Sequence, residues 1–338
     1  MTNFVHIGKY RLGSRVLVAP MSGVTDLPFR RVLQRFNPGL VVSEMVADEY
    51  LIRGEQEPLA RMSGAGEIDP LVIQLIGREP VLMAKAAQMA EAAGADIIDI
   101  NMGCPSRKVT HGLAGSALMR DAEKAIHIIG SVIDVVSVPV TLKMRLGWDK
   151  THINGAHIAK AAEDYGVQMI VVHGRTRAQF YKGHADWAAI KPIRDAVSIP
   201  VFANGDIHDA KTAKVALERS QCAGIMIGRS LIGAPWKIND IRHYVDELDT
   251  PQGLSPAQKL GIIKTHYRDV LDFYGEHKGL RVARKHLAGY VDHSPLALSG
   301  QDVSTLRREI CQLTEPERVI ESMKALYLTP IYQKVGAA

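Results

Sequence analysis

The chain has 338 residues, 46% of them hydrophobic, which is enough for one large α/β barrel and an additional domain. No apolar run approaches the length that crosses a bilayer, and the N-terminus lacks the basic-then-apolar order of a signal peptide. The cysteines Cys104, Cys222 and Cys311 have no paired spacing, which predicts reduced thiols in a cytoplasmic protein. The net charge of +5 is compatible with a polyanionic partner without requiring one.

Short apolar runs alternate with longer amphipathic segments through the first three-quarters of the chain. Eight such units in roughly 240 residues predict a (β/α)8 TIM barrel over residues 1–250. A doubly wound sheet is a weaker alternative, because no Gly-x-Gly-x-x-Gly fingerprint follows the first strand. The predicted strands are 16–19, 40–43, 71–75, 96–100, 140–144, 169–172, 201–203 and 224–227, with helical patterns at 81–93, 122–135, 153–165, 187–196 and 210–217.

Polar side chains follow almost every predicted strand, so they should gather on one rim of the barrel. The fourth strand runs into Asn101-Met102-Gly103-Cys104-Pro105, which places Cys104 where α/β active sites lie. Asn101 stands beside it as a neutral hydrogen-bonding group. The alternative is that Cys104 is a small buried hydrophobic residue.

Lys143 lies inside an apolar strand, so its ammonium must reach the barrel mouth or be buried at a cost. It could be a Schiff-base nucleophile or a fixed cation opposite an electron-rich cofactor ring. Gln74 and the run Pro20-Met21-Ser22 favour the second role, because an amide and exposed backbone groups suit the edge of a flavin-like ring. His173, at the end of the sixth strand, could bind a cofactor phosphate, donate a hydrogen bond or brace its loop.

Glycines mark the ends of the seventh and eighth strands, in Asn204-Gly205-Asp206 and Gly228-Arg229. This is the usual phosphate site of (β/α)8 barrels, where backbone N–H groups meet the anion and an arginine can grip it. The alternative is a pair of tight turns with a surface arginine. The absence of His-x-x-x-His and Cys-x-x-Cys pairs predicts that the protein binds no metal, and no Gly-x-Ser-x-Gly nucleophile elbow is present.

Residues 251–338 are predicted to form a helical domain, with helical patterns at 255–274, 280–290, 303–309 and 315–327. Arg281, Arg284, Lys285 and His286 lie near one another at helical spacing and would suit phosphate contacts. A solvated helix face is the alternative explanation.

Taken together, the ordered motifs resemble those of the tRNA-dihydrouridine synthases, which are FMN-dependent enzymes, and are most similar to the bacterial B-type branch. The resemblance runs from residue 19 to residue 286, and Ser22 stands where the family often has alanine. The motifs are Ser43-Glu44-Met45, Gln74-Leu75-Ile76-Gly77, Asp99-Ile100-Asn101-Met102-Gly103-Cys104-Pro105, Leu113-Ala114-Gly115-Ser116-Ala117-Leu118, His173-Gly174-Arg175-Thr176-Arg177 and Ala203-Asn204-Gly205-Asp206-Ile207.

The resemblance implies reduction of a uridine in the tRNA D-loop, at position 17, to 5,6-dihydrouridine. NADPH or NADH would reduce the flavin, hydride would pass from flavin N5 to uracil C6, and Cys104 would protonate C5. A mobile loop at 106–112, directly after Cys104, would close over the base and deliver the cysteine. No obligatory protein partner is evident, and Trp148 and Asp149 have no assigned role. FMN would contact Pro20, Met21, Ser22, Gln74, Lys143, His173, Asn204, Gly205, Asp206, Gly228 and Arg229, and tRNA would contact Asn101, Arg145, Arg175, Arg281, Arg284 and Lys285.

Three alternatives remain on the residues alone. The first is an FMN-dependent barrel oxidoreductase acting on a small pyrimidine or enone. The second is a non-redox lyase that forms a Schiff base through Lys143. The third is an RNA-binding protein without catalytic activity.

Overall fold

The computed structural model describes residues 5–249, 252–296 and 299–329. The chain divides into two compact units. The barrel unit comprises Met1–Arg229 and Ile238–Thr250, and the helical unit comprises Ser230–Lys237 and Pro251–Ala338.

Parallel strands dominate the barrel unit. A nine-stranded parallel sheet follows a small antiparallel hairpin, and all eight predicted strands are present. The strands are β1 (His6–Ile7), β2 (Tyr10–Arg11), β3 (Val16–Val18), β4 (Leu40–Val41), β5 (Val46–Ala47), β6 (Val72–Ile76), β7 (Ile97–Met102), β8 (Val140–Arg145), β9 (Met169–His173), β10 (Val201–Asn204) and β11 (Gly224–Ile227).

The sheet closes because one stretch of chain pairs on both sides. β4 pairs with β3, and β5, five residues further on, pairs with β6 at the other end of the strand order. A parallel bridge between Val42 and Val72, and a 3.0 Å bond from the Ser43 N–H to the Val72 carbonyl, join the two pairings. The predicted second strand is therefore one barrel position with a break at 42–45, and the (β/α)8 prediction is confirmed.

Alternation along the strands divides the barrel interior into two layers. The lower layer is apolar and includes Leu17, Val72, Ile97 and Phe202, which belong to one buried core. Residues of the N-terminal hairpin, including Ile7, pack in the same core. The Tyr10 hydroxyl bonds Asp96 at the start of β7, so the hairpin forms a floor at the amino ends of the strands.

Helices follow the strands as the pattern predicts, although 187–196 is a 3-10 turn (Ala188–Ile190) followed by a short α-helix. Four short helices, at 27–34, 48–52, 56–62 and 237–245, were not predicted, because each has too few residues to establish a helical period. The helices of the barrel region are α1 (Leu27–Gln34), α2 (Asp48–Ile52), α3 (Gln56–Met62), α4 (Pro80–Ala92), α5 (Arg107–His111), α6 (Ala122–Ile133), α7 (Gly155–Tyr165), α8 (Lys191–Asp195), α9 (Ala210–Ser220) and α10 (Lys237–Val245).

Four longer helices build the helical unit, as predicted. The first begins with a capping box between Ser255 and Gln258 and ends at Gly275, whose φ of 74° lets the next helix start at once. Their apolar faces form one core that includes Ile263, Tyr267 and Leu287. The helices are α11 (Pro256–Tyr274), α12 (Glu276–Asp292), α13 (Gly300–Gln312) and α14 (Pro316–Leu328).

Candidate active site

The upper layer of the barrel interior consists of polar side chains at the carboxyl ends of the strands. Strand register places Gln74 beside Asp99 and Thr141, and places Asn101 beside Lys143. On β6 and β7 these residues share the inward parity of the apolar lower layer, two positions beyond Val72 and two and four positions beyond Ile97. A buried polar layer above an apolar one is the arrangement expected of an enzyme site in this fold.

A directional chain of hydrogen bonds leads through this layer to Cys104. The Asn101 side-chain oxygen accepts the backbone N–H groups of Gly103 and Cys104 at 3.1 and 3.0 Å, which fixes the orientation of that amide. Asn101 then donates to Gln74 at 2.7 Å, and Gln74 donates to the Asp99 carboxylate at 2.6 Å. Two amides with one permitted orientation each therefore hold the strand end that carries the thiol.

Asp99 closes that chain at its buried end, where it also accepts the Thr141 hydroxyl at 2.7 Å. Burial raises the pKa of this carboxyl above its ordinary value, against the bonds from Thr141 and Gln74 and the positive charge of Lys143. Asp99 received no role from the sequence. A charged residue at an inward position of an apolar strand is the signal that could have identified it.

Cys104 is partly buried, and its carbonyl accepts both the backbone N–H and the hydroxyl of Ser116, at 3.1 and 2.8 Å. Gly115, at φ 59°, lies so close that an added Cβ would stand 3.0 Å from the Cys104 carbonyl oxygen. Burial raises the pKa of the Cys104 thiol, although the Ser106 backbone amide and the charges of Arg145 and Lys143 act in the opposite direction. The thiol is therefore protonated at neutral pH.

Asn204 is the centre of a second cluster on the opposite strands. Its nitrogen donates to the Met226 carbonyl at 2.8 Å, so its oxygen must face Lys143 Nζ at 3.0 Å and His173 Nδ1 at 2.9 Å. His173 consequently carries its proton on Nδ1. Burial lowers the pKa of His173 well below its ordinary value, helped by the charges of Arg145 and Lys143, so the ring is neutral.

Lys143 is a buried cation with few hydrogen-bond acceptors or negative charges close to its ammonium group. Among the described residues, Asn204 is its one hydrogen-bond partner, and no carboxylate lies within 4.0 Å of Nζ. Two of the three ammonium protons thus remain for another acceptor. Burial lowers the pKa of Lys143 to about 8, with a further contribution from Arg145, so most of the population is still charged at pH 7.

Arg145 has a different environment from the one expected of a substrate-binding arginine. Its guanidinium is 1% exposed and donates to the backbone carbonyls of Gly103, Thr176 and Phe180, at 2.8 to 2.9 Å. It therefore joins the end of β7 to the loop after β9. Contacts between positions 31 to 42 residues apart cannot be read from the sequence.

Arg175 also directs its hydrogen bonds to groups within the protein. It forms a bidentate ion pair with Asp206, at 2.6 and 3.0 Å, and donates to the carbonyls of Lys182 and Gly183. Its side chain is 2% exposed. The Asp206 carboxylate is engaged in this pair, so any contact from Asp206 to a cofactor phosphate must come from its backbone amide.

The ends of β10 and β11 provide close backbone approach. Gly205 has a φ of 114°, and an added Cβ would lie 2.8 Å from the Ala185 Cβ. Arg229 is exposed, 3.6 Å from Asp206, and its guanidinium lies 4.7 Å from the centre of the Tyr181 ring. Tyr181, which the sequence analysis missed, is half exposed and also meets the His173 ring edge-on at 6.4 Å.

The turn after β3 holds the three residues expected to line a flavin ring. The Met21 N–H bonds the Thr25 hydroxyl at 2.9 Å, and the Gly23 N–H bonds the buried Glu44 carboxylate. Pro20 and Met21 are partly exposed and Ser22 is exposed. Glu44 and Thr25 therefore fix the backbone of this turn, while its outer atoms stay accessible.

The segment after Cys104 differs from the mobile loop expected at 106–112. It contains the one-turn helix α5, followed by a 3-10 helix at Gly115–Arg120.

In the helical unit, Arg281, Arg284 and Lys285 are exposed on α12, as phosphate contacts require. The prediction for His286 is wrong. Its side chain is 1% exposed, because it lies on the same face of α12 as Ala283, Leu287 and Tyr290.

Within 5–249, 252–296 and 299–329, no helix combines the length and apolarity needed to cross a membrane. In the same ranges, no group of three or more histidine, cysteine, aspartate or glutamate side chains is arranged to hold a metal ion.

A closed (β/α)8 barrel with a buried lysine, a protonated thiol and oriented amides at its carboxyl rim defines an enzyme of the barrel class. A solved structure of 6-hydroxypseudooxynicotine amine oxidase from Pseudomonas geniculata has this fold, with a TM-score of 0.54 over 73% of this chain and 49% of its own. At 16% identity that likeness concerns the fold alone.

Residues 17–329 match the family model described as dihydrouridine synthase. A probable tRNA-dihydrouridine synthase of Rhodobacter capsulatus is 46% identical over 96% of this chain and 98% of its own length. The tRNA-dihydrouridine synthase B proteins of Pseudomonas aeruginosa and Vibrio vulnificus are 43% and 45% identical, over 86% and 84% of this chain and 88% of each of theirs. The chain belongs to the dihydrouridine synthase family, an enzyme family, which confirms the resemblance.

Proposed function

We propose that this protein is an FMN-dependent tRNA-dihydrouridine synthase that uses NADPH or NADH to reduce the C5=C6 bond of a D-loop uridine, at position 17. The observation that carries the proposal is the buried ammonium of Lys143, which has two unused donors and no carboxylate within 4.0 Å among the described residues. A buried cation of this kind calls for an electron-rich or anionic ligand. The relatives' names supply the substrate class.

The residues of the barrel mouth fit FMN. Lys143 and the second N–H of Gln74 would face the polar edge of the ring, and the accessible atoms of Pro20, Met21 and Ser22 would line it. The neutral His173, Asn204 and the backbone at Gly205, Asp206 and Gly228 would hold the ribityl phosphate end, with Arg229 adding an exposed positive charge.

When bound and reduced, FMN supplies a hydride for C6 of the uracil. Saturating the double bond then requires one proton at C5, and Cys104 would donate it from Sγ and be reprotonated by solvent. An acid must keep its proton until charge develops, and the raised pKa of the buried thiol meets that requirement. Asn101 holds the backbone N–H groups of residues 103 and 104, so it orients the thiol that donates.

Binding of tRNA would involve the helical unit, as a tRNA-binding domain over residues 251–338. Arg281, Arg284 and Lys285 expose three cations along one part of α12, within reach of successive phosphates. A stacked base must leave the tRNA fold to enter a barrel mouth, which explains the need for contacts outside the barrel. This function also agrees with the cytoplasmic location expected from free thiols.

The test is a comparison of Cys104→Ala with Cys222→Ala in the full-length protein. Purified protein should show flavin absorbance and form dihydrouridine in tRNA in the presence of NADPH. Cys104→Ala should lower single-turnover formation of dihydrouridine by about 10²- to 10⁴-fold, the usual size of acid catalysis, with unchanged tRNA binding. Cys222 is buried away from the cluster, so its substitution should leave the rate within about twofold.

Three outcomes would contradict the proposal. Undiminished dihydrouridine in Cys104→Ala would remove the acid role. Reduction of free uracil or an enone but not tRNA would favour a small-molecule oxidoreductase. A colourless protein that borohydride traps on Lys143 with a carbonyl substrate would favour a Schiff-base lyase.

A further inference from the structure

The stretch that links Cys104 to α6, residues 105–120, is held by contacts from two other loops. Near Cys104, Ser116 anchors the backbone, as described above. Further along, the Thr110 hydroxyl is 6% exposed and receives a hydrogen bond from Arg177 at 3.1 Å. Arg177 lies in the loop after β9, 67 residues away in sequence, so this bond fixes α5 from outside its own segment.

Arg177 has few other polar contacts. Its guanidinium has no carboxylate within 4.0 Å among the described residues, and its Nε is buried without a hydrogen-bond acceptor there. The guanidinium lies 4.6 Å from the centre of the Trp148 ring and 5.8 Å from that of Phe180. Thr110 is thus the one polar partner of this half-buried cation in the described structure, and aromatic faces provide the rest of its environment.

Trp148 contacts the segment at two places, through Arg177 at Thr110 and directly at Arg120. Its ring also receives the guanidinium of Arg120, at 4.8 Å, and Arg120 is the last residue of the 3-10 helix that follows α5. The backbone of Trp148 is itself fixed by bonds from its N–H to the His152 carbonyl and from the Ala178 N–H to its own carbonyl. The backbone that carries the ring is therefore fixed on both its N–H and its carbonyl side.

Asp149 stabilises the turn that presents this ring. Its carboxylate accepts the backbone N–H groups of Thr151 and His152 and the Thr151 hydroxyl, at 2.7 to 3.0 Å. Bonds from the side chains of Thr151 and His152 lower the pKa of Asp149 to about 2, so the carboxylate that accepts these bonds is ionised at neutral pH. This accounts for two residues to which the sequence analysis assigned no role.

We propose that Arg177, seated on Trp148, is a positioning residue that holds the Cys104 segment in its working place through Thr110. The inference rests on the proposed acid role of Cys104. Releasing α5 would let the segment sample open positions, in which the thiol is exposed and out of reach of a base in the mouth.

The experiment measures the alkylation of Cys104 by iodoacetamide in the full-length protein, with mass spectrometry resolving its peptide from those of Cys222 and Cys311. The variants are Thr110→Val, which keeps the shape and removes the hydroxyl, Arg177→Gln and Trp148→Leu. Thr110→Val and Arg177→Gln each lose the hydrogen bond, which should raise the alkylation rate about fivefold by increasing the open population. Trp148→Leu removes the ring against which Arg177 lies and should raise the alkylation rate in the same direction. His111→Gln, an exposed neighbour on α5, is the matched control and should match wild type.

Two further readouts separate positioning from general damage. Because a fivefold rise in a minor open state leaves most molecules closed, the three variants should change kcat for dihydrouridine formation by less than about twofold with KM for tRNA unchanged, while reduction of the flavin by NADPH keeps its wild-type rate. The double variant Thr110→Val, Arg177→Gln should be no worse than either single variant, because both remove the same bond.

Equal alkylation in all variants, or additive effects in the double variant, would overturn the inference. A parallel loss in flavin reduction would also do so, since it would show damage to the whole site. If wild-type protein forms no dihydrouridine, the proposed function fails, whereas the alkylation series still reports whether Arg177 holds the segment.

Discussion

The barrel unit and the helical unit each enclose a group of buried polar side chains, and the two groups differ in what they face. In the barrel, Asn101, Gln74 and Asp99 are linked by bonds of fixed direction, and Lys143 on the next strand has two ammonium protons without an acceptor among the described residues. In the helical unit, by contrast, His266 and Tyr290 bond each other at 2.9 Å inside an apolar core.

The side chains of the second group pack against one another. The rings of His266 and His286 meet edge-on at 4.6 Å, and the Tyr327 hydroxyl donates to the Tyr290 carbonyl at 2.8 Å. All four side chains are at most 2% exposed. A buried polar group therefore indicates a functional site when it includes a cation at the carboxyl ends of barrel strands, and specifies packing when its neutral side chains lie together inside an apolar core.

The largest contrast should come from removing the centre of each group. Asn204→Leu leaves the buried donors of Lys143 and His173 without their acceptor, which should cost about 3 kcal/mol or more at 1–3 kcal/mol for each group. Tyr290→Phe removes one hydroxyl and should cost about 1 kcal/mol. Urea unfolding of the full chain measures both, and equal losses would contradict the distinction between the groups.

The next largest difference should be in how the stability of each unit depends on pH. Burial lowers the pKa of His266 to about 3 and that of His286 well below its ordinary value, so unfolding takes up protons as the pH falls below 6.5. The stabilisation present above pH 6.5 is lost on going down towards pH 3, at about 1.4 kcal/mol per pH unit for each histidine.

The stability of the barrel unit should fall less steeply as the pH is lowered. His173 acts in the same direction, but burial raises the pKa of Asp99 and raises that of Asp48 to about 6. Carboxyl groups with raised pKa values bind protons more tightly in the folded state, so they gain stability as the pH falls through those values. Hydrogen exchange of α12 and β8 amides at pH 7, 6 and 5, corrected for intrinsic rates, compares the units, and parallel slopes would refute this account.

The smallest effect on stability should come from the exposed cations of α12. Arg281→Gln, Arg284→Gln and Lys285→Gln should each change the free energy of unfolding by less than about 0.5 kcal/mol. Each should lower the slope of log affinity for tRNA against log salt by about 0.7 to 0.9 if it contacts a phosphate. Lys324→Gln, on the exposed face of α14, is the control, and an equal change there would indicate a non-specific charge effect.

Strands were predictable because the barrel buries them on both faces. All eight positions lie within two residues of the expected runs, and only the break at 42–45 in the second strand was missed. That break depends on closing the ring between β3 and β6, which local pattern does not express. Helix α5 was missed for a related reason, since a side-chain bond that holds it comes from Arg177, 67 residues away in sequence, rather than from its own five residues.

The sequence predicted which residues belong to the site, but not which of them form hydrogen bonds with each other. Strand ends identified Cys104, Lys143 and Asn204 as rim residues, because parallel strands deliver their carboxyl ends to one side. Which amide faces which neighbour depends on register, so the bonds through Asp99 could not be foreseen. Arg145 and Arg175 look like ligand-binding cations in sequence, but the loop after β9 folds back and takes their hydrogen bonds for its own carbonyls.

The hairpin at the amino ends of the strands makes the barrel unit a cup rather than a tube. Ile7 and the apolar layer above it seal the floor, so molecules enter and leave the polar layer by the mouth. Under the proposed function, the nicotinamide and the flipped uracil must then enter through the same mouth of the barrel, one after the other. Initial rates measured against both substrates should accordingly give parallel double-reciprocal lines, the signature of a ping-pong order.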